Sequence, residues 1–117
     1  MTEEHRQIIE QTKAANPGVA VHYLTVAADD EGAENPETLI VFRKLNRIEY
    51  QELRCAIEEG GMRRIMKEEQ TAKAVTLYPP KDSLALLLEE YQALTLRIAD
   101  AAYAASSGGK VIERKKA

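Results

Sequence analysis

The chain has one cysteine, two histidines, one phenylalanine and no tryptophan in 117 residues, and each shortage closes off a class of function. With Cys55 alone, no internal disulfide forms, and no zinc site of four cysteines or of paired cysteines and histidines can be assembled. A nucleophilic triad has as little to draw on. His5 falls in a first helical stretch, His22 in a strand, and Cys55 in mid-helix, away from the helix N-terminus that would lower a thiol pKa. Cys55 therefore reads as structural and the chain as non-enzymatic. An excess of basic charge is missing too. Sixteen Lys and Arg face 19 Asp and Glu for a net charge of -3, and aromatics make up 5%, so neither the field nor the stacking rings of a nucleic-acid reader are present. The longest nearly uncharged apolar run, Tyr91 to Ala105, is too short to span a bilayer and is interrupted by Arg97 and Asp100. No apolar signal segment opens the sequence, and with one cysteine this points to the cytoplasm.

Carboxylates are plentiful but badly placed for chemistry. Glu58-Glu59, Glu68-Glu69 and Glu89-Glu90 are sequence neighbours and diverge around a helix, as solvated faces do. No helical Glu is followed by His at the spacing of a dinuclear metal bundle, so no metal or other cofactor is expected. Gly60-Gly61 and Gly108-Gly109 lack the spacing of a phosphate loop and read as helix ends.

What is present is a globular composition, 44% hydrophobic and 30% charged, in a length that supports one core without staples. Thr2 to Ala15 reads as a helix capped by Thr2 and stopped by Asn16-Pro17-Gly18. Val19 to Ala27 and Glu37 to Arg43 are rich in β-branched and aromatic residues of both parities, two strands with more than one covered face. They form an antiparallel hairpin around the acidic loop 29–36. Asn46-Arg47-Ile48-Glu49 has the form of a capping box and starts a helix whose face is Tyr50, Leu53 and Ile57, ending at Gly60-Gly61. Met62, Ile65, Met66, Glu69, Ala72 and Val75 recur at three- and four-residue steps, predicting a helix from Met62 to about Thr76 that Tyr78-Pro79-Pro80 breaks. Asp82 or Ser83 is the expected cap of the next helix, striped by Leu84, Leu87, Leu88 and Tyr91. After a weak break at Gln92 to Thr95 comes a small-residue helix through Leu94, Ile98, Ala101, Ala102 and Ala105. Lys110 to Ala117 is a basic tail.

The residues from Val41 onward resemble those of the small tail assembly chaperone-like proteins of tailed bacteriophages and prophages. The resemblance is carried by Val41-Phe42-Arg43-Lys44-Leu45-Asn46-Arg47-Ile48-Glu49-Tyr50, by Ala74-Val75-Thr76-Leu77-Tyr78-Pro79-Pro80, by the helix Leu84 to Tyr91, and by Leu96 to Ala101 with Ser107-Gly108. It implies binding and no catalysis: such proteins keep the long helical tape measure protein soluble and bring tail-tube subunits to it. A partner helix would lie in an apolar groove, built on this chain by Leu84, Leu87, Leu88, Tyr91, Leu94 and Ile98.

The expectation is thus an α+β fold, a two-stranded antiparallel hairpin packed with about five helices and predominantly helical in its C-terminal half. It forms one domain over residues 1–109, with the N-terminal helix in 1–16, the hairpin in 19–45 and the helical region in 46–107, followed by the tail 110–117. The expected partners are phage tail proteins in the host cytoplasm, with no nucleic acid or membrane. Two alternatives stand beside the chaperone: a structural component retained in the tail, and a small adaptor or regulator that forms a homo-oligomer through its sheet edge.

Overall fold

The structure, a computed structural model, describes residues 2–26 and 38–107. The acidic loop 29–36 and the tail 110–117 lie outside these residues. The first helix, α1 (Glu3–Ala15), starts where the Thr2 hydroxyl accepts from the His5 amide at 3.1 Å, with Glu3 and Glu4 against the positive end of the helix dipole. Asn16 ends it by donating its amide to Thr12 and Lys13.

Two strands follow, β1 (Val21–Val26) and β2 (Thr38–Arg43), paired antiparallel with Tyr23 opposite Val41 and Leu24 opposite Ile40. Apolar residues at consecutive positions of β2 are what a strand covered on both faces requires. Leu39 and Val41 pack with Ile9 of α1 on one face, and Ile40 and Phe42 enter the main core on the other. The sheet is therefore sandwiched between α1 and the remaining helices.

The capping box forms as the sequence indicates. The Asn46 side chain accepts from the Glu49 amide at 2.8 Å, Glu49 accepts from the Asn46 amide at 2.9 Å, and α2 (Arg47–Glu59) begins. Gly60 and Gly61, both at positive φ, turn the chain into α3 (Gly61–Val75). The expected two-stranded hairpin then gains a third member. The segment β3 (Thr76–Tyr78) leaves α3 and pairs antiparallel with β2, giving the order β1-β2-β3. Three residues joined directly to a helix and followed by two prolines are too few to show a period of their own.

The helix α4 (Lys81–Glu90) starts two or three residues earlier than an Asp82 or Ser83 cap would place it, with Pro80 at the cap position. It ends at Tyr91, and α5 (Leu94–Ser106) returns along the sheet. Leu45, Leu53, Ala72, Val75, Leu84, Leu94, Ile98 and Ala102 close the core over Ile40 and Phe42. The far end of α5 is tied down: the Ser106 hydroxyl accepts from the Leu45 amide at 2.7 Å and donates to the Ala102 carbonyl at 2.6 Å. Beside it the rings of Tyr50 and Tyr103 stack with centroids 4.8 Å apart. Among the described residues no helix is long and apolar enough to cross a membrane.

Candidate functional site

The six residues expected to form a partner groove do converge, but as interior packing. Leu84, Leu94 and Ile98 are 2%, 2% and 0% exposed, and Leu87, Leu88 and Tyr91 are partly buried against the same core. The groove is thus closed in this fold, filled by the sheet face and α3. The physical reason is that α4 is short and α5 small-sided, so both must spend their leucines on covering Ile40 and Phe42. On these two helices Leu86 and Leu96, 73% and 42% exposed, point away from the core.

The open apolar surface lies on α3. Met62, Ile65 and Met66, at positions i, i+3 and i+4, are 67%, 57% and 56% exposed and make one ridge along the helix. The sequence places them in the same stripe as Ala72 and Val75, yet those two are fully buried. Each three-residue step along an α-helix falls about 60° short of a full turn. The run Met66, Glu69, Ala72, Val75 consists of three such steps and so crosses from one side of α3 to the other. Its N-terminal half faces out while Glu68, Thr71, Ala72 and Val75 face in. The unbroken spacing of three shows that the stripe must split, because no single helix face can hold it, but not which half turns inward.

Grooves flank the ridge on both sides. On the α2 side a groove of about 720 Å³ is floored by Cys55, Ala56 and Met66. Its charged rim is already paired within the chain, Lys67 to Glu52 at 2.7 Å and Arg63 to Glu59 at 3.5 Å. On the other side Ile65 joins Ala85, Leu88 and Thr95 in a shallower groove of about 430 Å³. Burying the α2-side groove would bring apolar area out of water without stripping an unpaired charge, the condition under which apolar contact is most favourable.

The arrangement offers little to bond-making chemistry. Cys55 is exposed on the groove floor, but its neighbours there are Gln, Glu, Arg and Lys side chains with no histidine among them. His5 belongs to α1, and the His22 ring stacks on Phe42 at 5.7 Å from the sheet. Among the described residues no cluster of His, Cys, Asp or Glu has the geometry to hold a metal ion. Among the described residues Glu68 is the one buried carboxylate, and the Arg64 guanidinium holds it at 3.0 Å.

No family model, no curated protein and no solved structure matches this chain. The functional reading therefore rests on the residues and their geometry.

Proposed function

We propose that the protein is a non-enzymatic binding protein of phage tail assembly, a chaperone that holds the helical tape measure protein and meets tail-tube subunits in the cytoplasm of the bacterial host. The sequence resemblance from Val41 to Gly108 supports this reading, and the observation that carries it is the exposed ridge of Met62, Ile65 and Met66 with a groove on either side. A long amphipathic helix carries an apolar stripe that must be shielded until the tail tube encloses it. A ridge flanked by grooves offers such a stripe complementary relief. Methionine suits the task, because its unbranched, polarizable side chain repacks against many different client surfaces along a long helix. The self-paired rim charges make the contact tolerant of client charge, which a chaperone meeting successive segments needs.

The test is capture with the tagged full chain from lysate of a phage-producing host, with mass spectrometry of the eluate. The expected result is enrichment of a tape measure or tail-tube protein. It is lost in a Met62→Asp/Met66→Asp variant of unchanged circular dichroism and kept in the control Leu86→Asp. Failure to enrich any tail protein overturns the proposal. Recovery of the protein in purified particles would instead assign it to the tail structure.

A further inference from the structure

The two edges of the sheet are built differently. The β3 edge is three residues long, has an irregular register against β2, and runs into Pro79 and Pro80, all devices that stop a further strand from adding. The β1 edge has none of them. It is six residues long, regular in register from Val21 to Val26, free of proline, and without Asp, Glu, Lys or Arg. Among the described residues no strand pairs with its outer side. Tyr23, on the face that α1 covers only in part, is 49% exposed, and Thr25 beyond it is exposed as well.

We propose that β1 pairs antiparallel with β1 of a second copy, about a two-fold axis at Tyr23, joining the two three-stranded sheets into one. A strand related to itself by a two-fold axis normal to the sheet keeps its faces, so the axis must pass through a residue and each position must meet one of equal parity. On β1 the axis at Tyr23 sets Tyr23 opposite its own copy, Val21 opposite the second copy's Thr25, His22 opposite the second copy's Leu24, and Ala20 opposite the second copy's Val26. Every one of these positions lies in the described chain. The exposed tyrosines become a cross-strand aromatic pair, and the core-side residues His22, Leu24 and Val26 meet core-side residues.

Charge selects a second copy and this direction. From Val19 to Ala28 the sequence holds no carboxylate or cation, so self-pairing opposes no like charges. The acidic residues Asp29, Asp30, Glu31 and Glu34 follow β1 in the chain. An antiparallel pair sends the two C-terminal ends of β1, after which the sequence turns acidic, to opposite ends, whereas a parallel pair would set those ends side by side. One strand pair is a small interface, at the low end of stable association, so the dimer forms with rising concentration.

Light scattering on the full chain across a concentration series tests this. The mass is expected to climb from one chain to two, and Tyr23→Lys and Thr25→Lys to hold it at one over the same range. A mass of one chain throughout, or a dimer indifferent to both lysines, overturns the proposal. Should a lysine variant fail to fold, cysteine pairs in a Cys55→Ser background decide. Tyr23→Cys cross-links under mild oxidation, because opposed positions lie within disulfide reach. Thr25→Cys does not, since its two copies stand about 13 Å apart along the strands. Cross-linking at position 25 and not at 23, or at neither, overturns the register and the pairing with it.

Discussion

At the scale of single residues, Glu49 accepts more hydrogen bonds than any other carboxylate among the described residues. Its Oε1 accepts from the Asn46 amide and from Arg43 Nη1 at 2.8 Å, while Oε2 accepts from Arg43 Nη2 at 2.9 Å. Arg43 also donates to the Ala74 carbonyl, so one fork ties β2 to the start of α2 and the end of α3. The hydrogen-bonded guanidinium holds the Glu49 carboxyl below its ordinary pKa; burial, the next largest effect, opposes it, and the cap amide and the charges of Arg43 and Lys67 add to the lowering. Folding thus weakens this group's hold on a proton. Its stabilisation is complete above the pH where the unfolded carboxyl ionises and is lost as pH falls through the depressed folded value. Glu49→Gln keeps an oxygen that accepts from the Asn46 amide, and is expected to cost about 2 kcal/mol at neutral pH from the loss of the charge in the hydrogen bonds with Arg43. Urea denaturation of both proteins should show that gap closing on acidification through the carboxylate range; a gap that persists at low pH would assign the loss to packing.

At the scale of elements, legibility follows how locally each one is specified. The start of α2 was readable because Asn46 and Glu49 are three residues apart and need nothing else from the molecule. β2 was readable because both parities are apolar, a pattern that a doubly covered strand requires; β1 was readable by its β-branched and aromatic residues, although its expected second covered face is open at Tyr23 and Thr25. β3 was not, for its three residues become a strand only when β2 offers an edge. Nor was the outward face of α3, since the choice between Met66 and Ala72 as the inward residue is made by α5 and the sheet. Helix breaks were readable as well, and Gly60 shows what they ask. It sits at φ 71° and ψ -166°, a region that is essentially glycine's own, with nothing within 4 Å of where a Cβ would stand. Gly60→Ala therefore suffers backbone strain alone and is expected to lower stability by about 1–3 kcal/mol, read by thermal unfolding. A neutral result would mean that α2 and α3 can join through another turn.

At the scale of the whole molecule, two unequal apolar clusters sit on opposite faces of one sheet. The larger collects side chains from β2 and from α2, α3, α4 and α5; the smaller holds Ile9, Leu39 and Val41. Of α1 only Ile9 and Thr12 are buried, so little apolar area ties that helix down. Native-state hydrogen exchange is expected to show α1 opening at about 2 kcal/mol or more below the free energy that releases the β2 amides. Equal values would make the molecule a single cooperative unit. The six leucine, tyrosine and isoleucine positions first read as a groove belong to the larger cluster, because burial is decided by the total area to be covered, which no one helix reveals. The Ser106 clasp on Leu45 bridges sixty-one positions of sequence, the difference between the two residue numbers. During synthesis a chain that has emerged only to Glu90 holds the hairpin and three of the later helices but leaves Ile40 and Phe42 covered only in part. Leu94, Ile98 and Ala102 arrive afterwards, so the larger cluster closes last and leaves apolar surface open until α5 has emerged.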